Sequence, residues 1–246
     1  MTKLYINDAP KVNLYKKMSL KSEVTSQIIY GQSFYVIKRI NKWYKIKIKE
    51  DHYTGFIKKR HLINYFKPTH KVCALSANIY IGPSYKKKIG QLPFLSRLRI
   101  EKRNLKFSKF QGKWIENKNL KLINFKNKNI FSNIKIFDGI KYKWGGKTFQ
   151  GLDCSALVQL FINFNNKYCP RDAKNQIKYF KKNIKLAGIK KNNIIYWKGH
   201  VAVTLNSKKL IHAYGPMKKT LIMGINQTIR KIKKTANLKV IGIKKL

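Results

Sequence analysis

Cys154 is the residue of this sequence whose surroundings best suit nucleophilic chemistry. In the segment YKWGGKTFQGLDCSALVQLF it follows two glycines and a loop, and apolar residues at helical spacing follow it. A thiol at a helix start lies near unpaired backbone N–H groups, which lower its pKa from about 8.5 and favour the thiolate. The sequence therefore predicts an activated thiol at Cys154. A cysteine that only packs at a helix start, as a small apolar residue, is the structural alternative.

The other two cysteines have surroundings that predict no chemistry. Cys73 alternates with Val72 and Ala74 on an expected strand, so it is predicted to be a core residue, and Cys169 precedes Pro170 in an expected loop. Three cysteines cannot all pair within one chain, and the thiols are expected to be reduced. Without a C-x-x-C spacing, and with five scattered histidines, no metal site is expected.

Two histidines downstream of Cys154 could supply the base that a nucleophilic thiol requires. His200 opens the expected strand HVAVTL and His212 lies in the next expected strand, KLIHAY. Neighbouring antiparallel strands joined by the short turn at 206–208 would place the two rings side by side. His200 is then a candidate base, and His212 a candidate third group that holds the base in its tautomer. Two unrelated strand histidines are the alternative.

The segments that must position these residues predict a mixture of helices and strands. Apolar residues at helical spacing from Ser155 onward predict a first helix, and RDAKNQIKYFKK predicts a second with Asp172 as its N-cap. The later segments IIYW, HVAVTL and KLIHAY predict successive strands, GINQTIRKIKKT a late helix, and LKVIGI a closing strand. A helix bearing the cysteine, followed by a meander bearing histidines, predicts an α+β domain over residues 125–246.

Short strands separated by turns are predicted ahead of that domain. The stretches SQIIYGQSFYVIKRI, KWYKIKIKE and YTGFIKK alternate apolar and polar residues, and HKVCALSANIYIG, SRLRIEKRN and GKWIENKNL repeat this character. The pattern aromatic-Ile-x4-Leu occurs in both, once at Phe56-Ile57 and once at Trp114-Ile115. We therefore expect two copies of one small β unit, at residues 1–66 and 67–124, and each resembles a bacterial SH3-type barrel.

The region around Cys154 and the histidines resembles the NlpC/P60 family of cysteine peptidases. YKWGGKTFQGLDCSALVQLF resembles the family motif Y-x-W-G-G…D-C-S-G-L, GHVAVTL its H-V-[AG] strand, LIHAYG its third catalytic segment, and PRDAKNQ its proline-arginine…glutamine stretch. The resemblance covers about residues 130–245 and implies a papain-like fold, in which the helix bearing the cysteine packs on an antiparallel sheet bearing histidine. Ala156 stands where the family usually has glycine.

The resemblance also implies a role for each residue that matches the motif. Cys154 would be the nucleophile, His200 the base and His212 the orienting third residue. Tyr142 matches a tyrosine that donates a hydrogen bond to the oxyanion together with the Cys154 backbone N–H. An ordinary packing tyrosine is the alternative at that position. No cofactor is implied.

Four further residues are candidates for binding substrate. Asp153 and Ser155 resemble the residues that hold the D-glutamyl and amino-terminal groups of the substrate, although Asp153 also suits a helix N-cap. Two SH3-type modules ahead of such a domain are similar to the cytosolic γ-D-glutamyl-L-diamino-acid endopeptidases of peptidoglycan recycling. In such proteins the first module closes the substrate end of the groove. The segment DHYTGFI then indicates Tyr53, and Glu23 is a candidate partner for a ligand ammonium.

The charge of the chain leaves a second class of function open. With 55 Lys and Arg against 9 Asp and Glu, the formal net charge is +46, which would attract nucleic acid or anionic wall polymer. The lysines are spread over the whole length, which favours compositional drift over a nucleic-acid partner. A non-enzymatic polyanion binder and an amidase or acyltransferase on the same fold are the alternatives. The oligomeric state stays open.

Two further features of the sequence bear on location. The N-terminus lacks the apolar core of a secretory signal, and no apolar run approaches the roughly 18–20 residues needed to cross a bilayer. We therefore expect a cytoplasmic protein without a membrane partner, and the resemblance implies that it acts on peptides derived from peptidoglycan.

Overall fold

The computed structural model describes residues 3–246, which divide into two compact units. The first unit extends to Lys126 and also includes Lys147–Phe149. The second contains Asn127–Gly146 and Gln150–Leu246. The further division of residues 1–124 into two domains stays a prediction.

The first unit is built almost wholly of short strands. They are β1 (Leu4–Ile6), β2 (Lys11–Tyr15), β3 (Val24–Ile29), β4 (Ser33–Ile40), β5 (Trp43–Ile48), β6 (Thr54–Lys58), β7 (Ile63–Asn64), β8 (His70–Val72), β9 (Ser76–Tyr80), β10 (Lys88–Pro93), β11 (Arg97–Leu98), β12 (Lys102–Arg103), β13 (Phe107–Phe110), β14 (Lys113–Glu116), β15 (Leu120–Leu122) and β16 (Lys147–Thr148). A 3₁₀ turn, Asn117–Asn119, separates β14 from β15.

The strands before residue 65 form one sheet, and those of residues 70–122 form two. The first sheet has the order β3-β2-β6-β5-β4-β1-β7, with antiparallel pairing between neighbours. The others have the orders β10-β9-β14-β13-β12 and β11-β8-β15. In β5, β6 and β9, alternation of more and less buried residues places one face of the strand in a core. One core contains Leu14, Ile46 and Ile57, and the next contains Val72, Ile79 and Ile115.

The repeated sequence pattern marks equivalent places in these two cores. Ile57 and Ile115 are both buried, on β6 and β14 respectively. Leu62 and Leu120, at the end of each pattern, pack against the same cores. Cys73 departs from its prediction because it lies just beyond β8 and is only half-buried, with its thiol directed at the Lys118 carbonyl oxygen.

A buried ion pair lies within the first unit. The Lys147 Nζ and Asp51 Oδ2 atoms are 3.7 Å apart, and the two side chains are 1% and 0% exposed. The backbone N–H of Lys147 donates to Gln27 Oε1 at 2.9 Å. These contacts explain why Lys147–Phe149 group with residues far earlier in the chain.

The second unit combines three helices with an antiparallel sheet. Its elements are β17 (Gly151–Leu152), α1 (Cys154–Phe164), α2 (Ala173–Tyr179), β18 (Asn193–Trp197), β19 (His200–Thr204), β20 (Lys209–Tyr214), β21 (Lys219–Gly224), α3 (Ile225–Ala236) and β22 (Val240–Lys245), with 3₁₀ turns at Ile134–Phe137, Leu186–Gly188 and Gly215–Met217. The sheet order is β21-β20-β19-β18-β22. Helix α1 packs against β19 and β20, so the expected α+β arrangement is present.

The predicted elements of this unit are present, with three differences. The second helix is shorter than its sequence pattern, since it covers only Ala173–Tyr179, and Asp172 occupies the N-cap position without a capping hydrogen bond from its side chain. Strand β21 was not predicted. It pairs along its whole length with β20, and this pairing is tertiary information that its own short apolar run does not contain.

Candidate active site

Cys154 is the first residue of α1, as the sequence predicts. Asp153 precedes it in an extended conformation and caps the helix, because its Oδ1 atom accepts a hydrogen bond from the Ala156 N–H at 2.8 Å. All eleven residues of the helix are buried, including the polar side chains of Ser155, Gln159 and Asn163, which are four residues apart and lie on one face. The thiol is thus held at the end of a rigid central element, and Cys154 is 5% exposed.

The prediction that the helix start lowers the pKa of Cys154 is wrong. Burial, together with the neighbouring Asp153 carboxylate, raises the pKa of the Cys154 thiol to about 12. The backbone N–H groups of Val201 and Ser155 and the charge of Arg171 favour the thiolate but do not outweigh burial. At neutral pH the resting site therefore holds a thiol.

The two predicted histidines are in direct contact. His200 Nε2 lies 2.8 Å from His212 Nδ1, and both rings are buried. Burial lowers the pKa of His200 to about 4, and burial with the charges of His200 and Lys231 lowers that of His212 to about 3. Both are neutral at pH 7, so one of these two nitrogens donates and the other accepts. If His200 Nε2 carries the proton, Nδ1 of His200 is free to act as a base.

The strand that begins with His200 also contacts the cysteine. His200 is the first residue of β19, and Val201, which follows it, directs its backbone N–H at the Cys154 thiol. Antiparallel pairing of β19 with β20 matches Val203 with Ile211. The same pairing brings His212 of β20 diagonally close to His200.

Tyr142 lies near the nucleophile in the same unit. Its backbone N–H donates to the Lys218 carbonyl at 2.8 Å, and it forms a parallel bridge with Leu152, two residues before Cys154. Burial and the nearby Cys154 and Asp153 groups raise the pKa of the Tyr142 phenol. The phenol therefore stays protonated and can donate a hydrogen bond.

Asp153 and Ser155 belong to a buried polar cluster that Arg171 completes. Arg171 Nη2 donates to Asp153 Oδ2 at 2.6 Å, and Arg171 Nη1 donates to Asp153 Oδ1 and to Ser155 Oγ, both at 2.9 Å. Ser155 Oγ in turn donates to Asp153 Oδ1 at 3.1 Å, and the Gly145 N–H donates to Asp153 Oδ2 at 3.0 Å. The Asp153 carboxylate is already surrounded by donors.

Arg171 and Gln176 are site residues that the sequence reasoning did not select. Gln176 Nε2 donates to the backbone carbonyls of Ser155 and Pro170, both at 2.9 Å, and Arg171 is 2% exposed. The available signal was the scarcity of acids. In a chain with 9 Asp and Glu, an aspartate beside a cysteine needs a cation if it is buried, and PRDAKNQ supplies one.

Tyr53 and Glu23 lie in the first unit. Tyr53 packs against the core that contains Leu14, and its backbone N–H donates to Asp51 Oδ1 at 3.0 Å. Glu23 is exposed, and its Oε2 atom is 3.0 Å from Lys16 Nζ. Their roles in binding substrate stay predictions.

The part of the chain that the structure describes has neither a cluster of metal-binding side chains nor a membrane-spanning helix. Within residues 3–246, His, Cys, Asp and Glu side chains nowhere gather in the groups of three or more that could hold a metal ion. In the same part of the chain, every helix is too short or too polar to cross a bilayer.

The buried histidine pair should make the folded protein sensitive to mild acid. The unfolded chain binds protons at these histidines near pH 6.5, whereas the folded protein binds them only near pH 4 or below. The free energy of unfolding is therefore unaffected by these histidines above pH 6.5. It falls as the pH drops towards 4, by at most about 1.4 kcal/mol per pH unit for each histidine. Urea denaturation at pH 7, 6 and 5 measures this slope.

A double variant supplies the control for that prediction. His200→Gln with His212→Gln removes both titrating groups and should flatten the dependence over the same range. If the free energy of unfolding falls equally with pH in the variant and the native chain, groups other than these histidines cause the acid sensitivity.

Comparison with known proteins identifies two domains in the chain. Residues 139–235 match the NlpC/P60 family, and residues 14–62 match the bacterial dipeptidyl-peptidase Sh3 domain. The chain therefore carries an NlpC/P60 domain preceded by a bacterial SH3-type domain. The first match includes Cys154, His200 and His212.

Individual relatives agree with this assignment. Dipeptidyl-peptidase 6 of Lysinibacillus sphaericus is 33% identical over 72 residues, which are 29% of this chain and 27% of that protein. An NlpC/P60 family protein from Bacillus cereus ATCC 10987 superposes with a TM-score of 0.82 at 17% identity, covering 98% of this chain and 99% of that one. An NlpC/P60 endopeptidase from Photobacterium damselae subsp. piscicida gives 0.67 at 13% identity, covering 98% and 70%. These two structures show the shared fold.

Proposed function

We propose that the NlpC/P60 domain of this chain is a cysteine endopeptidase in which Cys154 is the nucleophile and His200 the base. The observation that carries the proposal is the 2.8 Å contact between His200 Nε2 and His212 Nδ1, on a strand whose next residue, Val201, directs its backbone N–H at the helix-start thiol. A base held by a third group is what a thiol nucleophile requires. His212 is the residue that holds it.

The reaction starts from a neutral site. With the thiol pKa raised and the imidazole pKa lowered, a resting thiolate–imidazolium pair is disfavoured. The Cys154 proton passes to His200 as sulfur attacks the carbonyl carbon, and the imidazolium then gives that proton to the departing amine. Water, deprotonated by His200, attacks the thioester and releases the acid, and the His200 imidazolium then returns the proton to the departing sulfur.

Two kinds of donor can stabilise the charges that develop. The N–H groups of Val201 and Ser155 favour negative charge on sulfur. Tyr142 keeps its proton and suits the carbonyl oxygen as it becomes an oxyanion, together with the Cys154 N–H. Losing one such donor typically costs about 100- to 1,000-fold in kcat.

The substrate we propose is the amide bond between γ-D-glutamate and a diamino acid in peptides released from peptidoglycan. The name of the Lysinibacillus relative, dipeptidyl-peptidase 6, agrees with release of a dipeptide such as L-Ala-D-Glu. Asp153 and Ser155 are the proposed contacts for the D-glutamyl and amino-terminal groups, with Arg171 holding both side chains in place. Recycling of wall peptides in the cytoplasm is the corresponding role.

Mass spectrometry of defined peptides tests the proposal. L-Ala-γ-D-Glu-meso-diaminopimelate and its L-Lys counterpart should each yield L-Ala-D-Glu and the free diamino acid, and Cys154→Ala should yield neither. If no peptide is cut, or if the variant cuts equally, the peptidase proposal is wrong. Transfer of the acyl group to an added amine in preference to water would favour the acyltransferase alternative.

The same two proteins, the native chain and Cys154→Ala, distinguish the polyanion-binding alternative from the peptidase. Retention on a heparin column that is equal for the native chain and Cys154→Ala, with no peptide cleavage by either, would favour the binding protein. The charge of +46 makes some retention expected in any case, so cleavage decides between the two.

Tyr53 is proposed to contact the N-terminal residue of the substrate. Because its ring packs against a core, Tyr53→Phe is the variant that removes only the hydroxyl. Losing one neutral hydrogen bond costs about 0.5–1.5 kcal/mol, so kcat/KM for L-Ala-γ-D-Glu peptides should fall from about twofold to about tenfold. N-acetylated peptides, measured in parallel, should be affected less. If kcat/KM of the variant relative to the native chain is the same for free and N-acetylated peptides, Tyr53 does not contact the N-terminal residue of the substrate. Glu23→Gln is the matched variant for the second candidate.

A further inference from the structure

Aromatic rings enclose the histidine pair on the sheet. The centroids of the Tyr214 and His212 rings are 4.9 Å apart, and the ring planes differ by only 12°, so the two rings are stacked. The Tyr214 ring is also 5.4 Å from His200, and Trp197 is 5.6 Å from His200. Tyr214 therefore touches both members of the pair.

The stacking follows from the periodicity of the strand. His212 and Tyr214 are two residues apart on β20, so their side chains leave the same face of the sheet. Tyr214 is 5% exposed, and it shares a buried cluster with Trp197 and Ile232. A ring so enclosed has little freedom to turn.

The far end of Tyr214 is also fixed. Its hydroxyl lies 3.2 Å from Thr235 Oγ1, in the last turn of α3. Thr235 Oγ1 gives its own hydrogen to the Lys231 carbonyl at 2.9 Å. The tyrosine is then the donor in the first contact, and its ring is held between α3 at one end and His212 at the other.

We propose that Tyr214 is a positioning residue that keeps His212 in the orientation from which it holds His200. The proposal rests on the function proposed above. A turn of the His212 ring would break its 2.8 Å contact with His200 Nε2 and release the base to rotate. The face of an aromatic ring also attracts a cation, so Tyr214 favours the imidazolium that forms when His200 takes the thiol proton.

The charges around the histidine pair lower the pKa of His212, and the Tyr214 ring acts in the opposite direction. The groups that act on the His212 pKa are His200 on β19 and Lys231 on α3, and both lower it, as burial does. On β20 itself, the neighbour that contacts the pair is Tyr214. Its ring opposes the effects that disfavour the protonated histidines.

The test compares three variants with the native chain. Tyr214→Leu removes the ring, Tyr214→Phe keeps the ring and removes the hydroxyl, and Phe137→Leu removes a fully buried ring that packs on Phe161 in the same unit. The first readout is cleavage of L-Ala-γ-D-Glu-meso-diaminopimelate. We expect Tyr214→Leu to lower kcat about tenfold with KM within about twofold. The acid limb of its kcat–pH profile should move to lower pH. Tyr214→Phe should retain at least about a third of kcat.

A second readout separates this proposal from the proposed function. Alkylation of Cys154 by iodoacetamide needs the base but no substrate, so it should slow about tenfold in Tyr214→Leu and less than about threefold in Tyr214→Phe. This holds even if no peptide tested is cleaved, in which case the peptidase proposal fails alone. Equal losses of kcat and alkylation rate in Tyr214→Leu and Phe137→Leu, with an unmoved pH profile, would overturn the positioning role.

Discussion

Cys154→Ser should lower hydrolysis of the γ-D-glutamyl peptide by at least about 1,000-fold and leave the fold intact. In the proposed mechanism the nucleophile forms only when the thiol passes its proton to His200, because burial raises the pKa of the thiol to about 12. A serine hydroxyl gives up its proton far less readily than a thiol, so the same neutral histidine cannot activate it. The change itself is small, since one buried atom is replaced by a smaller one at a helix start.

Steady-state hydrolysis with each variant is the measurement, and thermal unfolding checks the fold. Cys73→Ser is the matched control, since Cys73 is half-buried in the first unit, and it should retain native activity. A Cys154→Ser protein that keeps more than a tenth of native activity would assign the reaction to another residue. Loss of activity in Cys73→Ser would point instead to a general effect of thiol replacement.

Arg171→Met should destabilise the folded protein by about 3–5 kcal/mol, because it leaves the Asp153 carboxylate buried without its guanidinium. The two side chains are 1% and 6% exposed and are joined by two parallel hydrogen bonds of 2.9 and 2.6 Å. Activity should be lost as well, since Asp153 caps the helix that carries Cys154. Urea denaturation measures the change in the free energy of unfolding.

Two further variants make this prediction specific. Asp153→Asn combined with Arg171→Met removes both charges and should recover a large part of the stability, although not the activity. Lys118→Met removes an exposed member of the Lys118–Glu116 pair and should change stability little. A native-like denaturation midpoint for Arg171→Met would mean that the buried carboxylate is stabilised sufficiently by its other donors, the Ser155 hydroxyl and the two backbone N–H groups.

Local patterns were sufficient to predict the central arrangement of the site. Cys154 at a helix start and the two histidines on one hairpin follow from apolar periodicity and a short turn, which act over a few residues. The shift in the Cys154 pKa could not be predicted in this way. It depends on how deeply the whole unit buries α1, and burial here outweighs the helix start.

The residues that support the site were harder to predict because their partners are distant in sequence. Arg171 meets Asp153 across 18 residues, and Tyr214 meets Thr235 across 21. Neither pairing leaves a periodic trace. Strand β21 is defined by its partner β20 and not by alternation of its own residues.

The buried ion pair between Lys147 and Asp51 limits how residues 1–126 could be replaced by another domain. Lys147 stands seven residues before the nucleophile in sequence, yet it groups with the N-terminal unit. Deleting residues 1–126 would therefore take away both the Asp51 carboxylate and the Gln27 side chain that hold this segment. The N-terminal half cannot be replaced as an independent cassette, because any substitute has to bring its own acceptor for a lysine at position 147. Gene fusion or recombination between residues 126 and 147 would keep this contact only where the acceptor and the lysine are inherited together.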